Sequence, residues 1–302
     1  MEGSPQADKA PRRPVLHRLA ERVGQIEALD PPAQALLGLA DKAIKPGRVR
    51  DVLSGTFLGH ALHPLMTDLP IGSWTSAVLL DNFGGRESEG AARKLIGLGI
   101  LAAAPTAATG WVEWSDSADG RASTRRVGLV HAASNATALS LFTASYLARK
   151  RGRRAKGRAL ALAGSSALAV GGHLGGHLSY VHGEGVAVTT FEEGSTEWAE
   201  AMPEQELAEG RPACALVDEV PVLLFREGGE IHALANRCTH RGGPLHEGEV
   251  GDGRVTCPWH GSEFDLRTGS VEKGPASSPQ PAYETRTRSG TIEVRQVTDP
   301  TP

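Results

Sequence analysis

Apolar and polar positions along this chain fall into two regimes that change near residue 183. In the first, four long stretches are almost free of charge. Val52 to Leu80 holds only Asp68, while Leu95 to Val112, Val127 to Ala148 and Ala159 to Gly183 hold no charged residue. At about 1.5 Å rise per residue, each is close to the length that crosses a hydrocarbon core of about 30 Å. Helices of a soluble bundle need a polar face, so the pattern predicts four transmembrane helices rather than a soluble four-helix core. Small-residue runs such as "GLGILAAAP" and "GGHLGG" suit close helix approach in lipid. "HPLMTDLP" interrupts the first stretch and puts Pro64 near the start of its helix. Upstream, Leu16, Leu19, Val23 and Ile26, then Leu36, Leu37 and Leu39, carry a helical spacing broken at Asp30–Pro32, and residues 1–14 read as disordered.

After Gly183 the runs shorten to "ACALV", "VPVLLF", "EIHALA", "GRVTC" and "TIEVR", separated by turns such as "REGGE", "GDG" and "RSG". This is the spacing of a small antiparallel β domain. The predicted architecture is a multidomain α + β chain. A polar, amphipathic tail covers 1–50 and a four-helix transmembrane bundle 51–183. A linker, 184–196, leads to an all-β domain over 197–297.

Length and charge narrow this picture only a little. The 302 residues have room for about two domains at roughly 150 residues each. With 32 basic and 35 acidic residues there is no overall field for a nucleic-acid partner. The charges are unevenly placed: "RKRGRRAKGR" at 149–158 holds seven Lys/Arg, and 183–210 holds eight Glu and no basic residue. The first 50 residues show no apolar core of a cleavable signal peptide. Three cysteines cannot build a disulfide framework, and two of them sit beside histidines, which favours metal.

Those two lie in "NRCTHRGGPLHEG" and "RVTCPWHGSEFD". Cys238, His240, Cys257 and His260 offer two thiolates and two imidazoles. A closed zinc site is one reading. Zinc fingers usually keep the cysteines together and the histidines together, however, whereas here each arm carries one of each. That alternation also suits two metals, one held by sulfur and one by nitrogen, as in a 2Fe–2S centre where two histidines replace two cysteines on one iron.

"CTHRGGPLHEG…CPWHGSEFD" resembles the Rieske family, with the likeness extending from "GEIHALANRC" to "LRTGSVEKGPA". The resemblance implies a 2Fe–2S cluster with Cys238 and Cys257 on one iron and His240 and His260 on the other. A cluster saturated by four protein ligands carries electrons rather than transforming a substrate. High-potential members carry a loop disulfide and Ser and Tyr hydroxyls near the cluster sulfurs. Here Gly243 and Trp259 stand in the region of the bridge, Ser262 keeps the hydroxyl, and Phe264 takes the Tyr position. The domain therefore resembles the Rieske ferredoxins of oxygenase systems, with a potential toward the lower part of a range of about −150 to +300 mV. Gly242, Gly243 and Pro244 are expected to shape the first loop, and Cys214 in "ACALV" to be a buried strand thiol.

Six histidines fall in the apolar half: His60, His63, His131, His173, His177 and His182. "GHALHPLMTDLPIG" and the histidine-bearing fourth helix resemble a bacterial family of small four-helix membrane proteins of unknown function. In an up-down-up-down bundle His63, His131, His173 and His177 lie at the membrane face that carries the β domain. Ionisable groups in lipid tend to be functional. The set, with Asp68, is read as a haem b site, a quinone or proton site, or as structural histidines.

The basic 149–158 loop is expected to stay cytoplasmic, which places the β domain outside. Arg153 and Arg154, ahead of a mildly apolar helix, resemble a twin-arginine export signal. The leading expectation is a multi-pass, membrane-anchored one-electron carrier exchanging electrons with redox proteins or quinone. The alternatives are a cytoplasm-facing ferredoxin component serving a separate oxygenase, and a zinc-stabilised binding module on a membrane scaffold.

Overall fold

The computed structural model describes residues 13–297 except 46, 118 and 119, so the disordered reading of 1–14 falls almost wholly outside the described residues. Helix α1 spans Val15–Gly24 and α2 Asp30–Ala43. The second starts at the expected break, with prolines in its first turn, where a missing N–H leaves no bond unmade. Helix α3 (Arg48–Ser54) ends at Gly55, which has φ +84°; a Cβ there would meet the His60 carbonyl at 2.3 Å. This tight turn delivers the chain into the bundle.

The first low-charge stretch divides, residues 52–54 closing α3 and the rest entering α4 (Leu62–Phe83) after a turn, while the other three each lie in one long helix: α5 (Glu89–Ser115), α6 (Ala122–Lys150) and α7 (Arg154–Tyr180). Helix α4 pairs with α5 and α6 with α7, and the two hairpins close into a four-helix bundle. At its centre Trp74 stacks on Phe142 with ring centroids 4.4 Å apart. The small residues predicted to allow close approach do so here: a Cβ on Gly99 would lie 2.3 Å from the Trp74 indole nitrogen. Helices α1 and α2, expected as a tail, pack on the outside of this bundle, α1 against α6 and α7 and α2 against α5 and α6.

Two of the four long helices, α5 and α7, are long and apolar enough to cross a membrane. In α4 and α6 the apolar character is diluted by Asp68, Asp81, Arg125, Arg126 and Arg149. Asp81 and Arg149 form a buried bidentate pair across the bundle, with Arg149 Nη1 donating to Asp81 Oδ1 at 2.8 Å. One of the seven cations in the 149–158 run is therefore committed to the helical core.

The second half is an antiparallel β domain of two sheets. The larger joins β1 (Ala199–Pro203), β2 (Ala213–Val217), β3 (Val220–Glu227), β4 (Glu230–Ala235), β9 (Ala282–Arg288) and β10 (Thr291–Gln296) in the order β1-β10-β9-β4-β3-β2. The smaller runs in sequence order: β5 (Glu249–Gly251), β6 (Arg254–Thr256), β7 (Glu263–Asp265) and β8 (Val271–Lys273). Strand β2 is an edge, and its period-2 alternation turns Ala215 and Val217 inward but leaves Cys214 exposed. The expectation of a buried thiol there is corrected. Every position of "ACALV" is apolar or small, so the pattern does not say which face meets the core.

Candidate metal centre

Two loops, one leading from β4 of the larger sheet into β5 and one joining β6 to β7, carry the four expected ligands and share one backbone design. In the first, Cys238 N–H donates to Gly243 O (2.9 Å) and Gly242 N–H to Cys238 O (2.7 Å). In the second, Cys257 N–H donates to Ser262 O (2.8 Å) and Gly261 N–H to Cys257 O (3.1 Å). Gly242 and Gly261 adopt φ of +77° and +73°, which a side chain resists. Both loops read Cys-x-x-x-Gly in the sequence, a symmetry that identifies Gly261 as the counterpart of Gly242. A third segment locks the first. The buried amide of Gln280 donates to Ala235 O and Arg237 O (2.6 Å each) and accepts from Thr239 N–H (3.1 Å).

The donor set converges. Cys238 and Cys257 are buried within hydrogen-bonding range of each other, and the His240 and His260 rings lie 5.0 Å apart, edge to face. The Cys238 thiol, by hydrogen bonding, brings Cys257 down to about 7, helped by the Trp259 and His260 backbone N–H groups. Donating that proton, together with burial, pushes Cys238 up. Burial and the neighbouring His240 push His260 down to about 4, so its imidazole is neutral and ready to ligate. The backbone leaves little slack: a Cβ on Gly243 would sit 2.7 Å from Cys257 Sγ. Two sulfurs on one side, two imidazoles on the other and backbone donors aimed at both sulfurs fit a mixed-ligand 2Fe–2S cluster.

Ser262 and Phe264 are fully buried beside this set. The Ser262 hydroxyl accepts from Ala276 N–H at 2.9 Å, which leaves its own hydrogen free to donate, while Phe264 packs in the core that contains both cysteines. Hydrogen bonds to cluster sulfurs raise the potential. Ser262→Ala is therefore expected to lower the midpoint potential and Phe264→Tyr to raise it in an electrode or dye titration of the purified protein. Trp259, by contrast, is 55% exposed and flanks His260, with ring centroids 6.5 Å apart.

Sequence reasoning missed what stands opposite His240. Its Nε2 lies 3.2 Å from the Asp116 carboxylate at the end of α5, leaving Nδ1 for a metal, and Asp116 also pairs with Arg50 of α3. Burial alone would raise the Asp116 carboxyl. The hydrogen bond from His240 and the charge of Arg50 hold it below the ordinary carboxylate range. Next to the ligand, Arg241 bonds the Glu113 carbonyl (3.1 Å) and the Glu184 carboxylate (2.5 Å). The expected linker is part of this contact, with Val188 N–H donating to Thr239 O at 3.0 Å. A cavity of about 140 Å³ remains between the domains, lined by His60, Glu113, Asp116, Gly185, His240 and Ser278 among others.

The histidines of the helical half divide into two groups. His63 and His131 meet inside the bundle with ring centroids 6.4 Å apart. Their Nδ1 atoms bond Thr106 O (3.0 Å) and Gly171 O (2.8 Å), and His131 Nε2 meets the Asn135 amide at 3.2 Å. His177 turns the other way, to Glu21 of α1, while His173 and Asp68 are exposed, His173 bonding Leu16 O at 3.3 Å.

The fold and ligand set define a class: an antiparallel β domain with paired Cys/His loops for an iron–sulfur cluster, joined to a helical domain. Comparison agrees for both halves. Residues 197–284 match the family model "Rieske [2Fe-2S] domain", and residues 59–188 match "Predicted membrane protein (DUF2231)". The anthranilate 1,2-dioxygenase ferredoxin subunit of Burkholderia cepacia is 36% identical over 98 residues, covering 32% of this chain and 91% of that protein. The 3-phenylpropionate/cinnamic acid dioxygenase ferredoxin subunit of Escherichia coli K12 is 35% identical, covering 31% and 89%. Among solved structures, the ferredoxin of carbazole 1,9a-dioxygenase from Nocardioides aromaticivorans IC177 shares 28% identity over 32% of this chain and 96% of its own, at a TM-score of 0.31. Through its C-terminal domain the chain belongs to the Rieske 2Fe–2S family, with the electron-carrying chemistry of that cluster, and it carries this domain on a DUF2231 membrane-protein domain.

Proposed function

We propose that this chain is a membrane-anchored Rieske electron-transfer protein whose α4–α7 bundle spans the bilayer, and that electrons cross the His240 edge toward the membrane domain. The observation that carries the reading is the docking of His240 on Asp116: the ligand's side chain is only 16% exposed, so a soluble partner does not reach it without undocking the domain. The cluster supplies one-electron exchange. The chain's own residues hold its histidine edge against the bundle, through Asp116, Arg50, Arg241 and Glu184.

A membrane-soluble quinone is the acceptor or donor this arrangement suits. His63 bonds Thr109 Oγ1 at 3.1 Å, and Thr109 lies seven residues before Asp116 on the α5 side, about 10 Å along a helix axis. This bond ties His63 to the helix that ends at Asp116, which supports reading the His63–His131 pair as the quinone site. A second reading is favoured by the relatives. They are ferredoxin subunits of dioxygenases, and the exposed Trp259 beside His260 offers a separate outward face for a soluble oxygenase.

The β domain is read as facing outward. The 149–158 loop, the densest Lys/Arg run of the chain, joins α6 to α7 at the end of the bundle opposite the β domain. Two measurements test the anchor and the side. The paramagnetic cluster signal should sediment with membranes after an alkaline carbonate wash; recovery in the supernatant would overturn the anchor. Cys214 is the exposed thiol of the three, so a membrane-impermeant maleimide should label it in spheroplasts. Labelling only after lysis would reverse the orientation.

A further inference from the structure

Helix α1 places His17 and Glu21 four residues apart, on one face, and that face meets the end of α7. There His177, in the last turn, and His182, just beyond it, converge on the same carboxylate oxygen: Glu21 Oε1 lies 3.1 Å from His177 Nε2 and 3.8 Å from His182 Nε2. The ligand atoms of these three residues lie within 4.8 Å of one another. His177 and His182 side chains are 2% and 7% exposed, while Glu21, at 34%, opens the site toward solvent. His182 Nδ1 is held by Thr124 Oγ1 at 3.0 Å, which orients the ring and leaves Nε2 facing the carboxylate. A hydrogen bond to the non-ligating nitrogen is the support that metal-binding histidines generally have. The His17 ring stands beside His177 at 5.2 Å between centroids.

We propose that Glu21, His177 and His182 bind a divalent first-row transition-metal ion, with His17 in reach as a further ligand. Two neutral imidazoles and one carboxylate are the donors such ions take, with bonds of about 2.0–2.2 Å. Those bonds put ligand atoms roughly 3–3.5 Å apart, so the observed set needs only a small contraction. A carboxylate bonded to a single histidine explains less: it gives no reason for a second buried imidazole, oriented by its own hydroxyl partner, on the same oxygen. The ion would tie the N-terminal helix to His182, two residues before Glu184, whose carboxylate holds Arg241 beside His240. The site does not depend on the membrane-side reading of electron transfer.

The test is cobalt titration of the full-length, detergent-solubilised protein after chelator treatment, with the cluster's own absorption followed as a control of folding and of cluster integrity. Wild-type protein should take up one equivalent of Co²⁺ with visible d–d bands. The Glu21→Gln/His182→Ala variant should show none, with the cluster spectrum unchanged. Thr124→Val, which keeps all three ligands, should weaken binding about 10- to 100-fold, and it decides the matter if the double variant fails to fold. Bands of equal strength in wild type and in variants that retain their cluster, or no cobalt uptake by the wild type, would overturn the proposal.

Discussion

Replacing Asp116 by Asn is expected to raise the reduction potential of the cluster and to loosen the β domain from the helical bundle. Asp116 is a buried carboxylate 3.2 Å from a cluster ligand, and a negative charge there opposes the arrival of an electron. Removing it takes away that opposition and also leaves Arg50, its ion-pair partner, without a counter-charge in the interface. Loss of one member of a buried pair costs about 3–5 kcal/mol. Asn keeps part of the hydrogen bonding, so the docking penalty should lie at the lower end. A paramagnetic redox titration reads the first effect and limited proteolysis between residues 183 and 197 the second. A variant with wild-type potential and wild-type resistance would mean that His240 does not rest on Asp116.

The other large effect is expected at the ligands. Cys238→Ser or Cys257→Ser should abolish iron and labile sulfide, the visible absorption and the reduced-state signal. The wild type should show an average g below that of all-cysteine clusters. The same substitutions should destabilise the β domain, because both cysteines sit in the core with Leu223, Phe225, Leu245 and Phe264, and cluster binding is coupled to folding. Helix content should survive, since the bundle has a separate core around Trp74 and Phe142. Zinc in place of iron in the wild-type protein would contradict the assignment.

Local chemistry in this chain was legible and long-range chemistry was not. Helices α5 to α7 were legible because each grows from an uninterrupted low-charge run, whereas the first run, broken by glycines and a proline, divides between α3 and α4. The convergence of Cys238, His240, Cys257 and His260 was legible because each loop carries its Cys and His within four residues. Helix direction likewise put His63 and His131 at one end of the bundle, where they meet. The partners that complete each site come from far along the chain. Asp81 meets Arg149 from 68 residues away, Gln280 reaches Thr239 from 41, and Glu21 reaches His177 from 156. No periodicity reports such contacts. His173 and His177 share a helix face by spacing, yet α1 covers that face unevenly, taking His177 into a buried cluster and leaving His173 exposed. The amphipathic N-terminal segment read as a tail for the same reason: its partner surface exists only once the bundle has formed.

Electron exchange between the docked cluster and a membrane-soluble partner is the central claim, and one measurement addresses it directly. Full-length protein is reconstituted into liposomes, its cluster is reduced anaerobically, and the paramagnetic signal is followed with and without quinone in the bilayer. The signal should decay quickly only in quinone-containing vesicles, and the decay should slow when His63 and His131 are both replaced by Ala. Decay at the same rate with and without quinone, or brought about only by a water-soluble oxygenase, would contradict it.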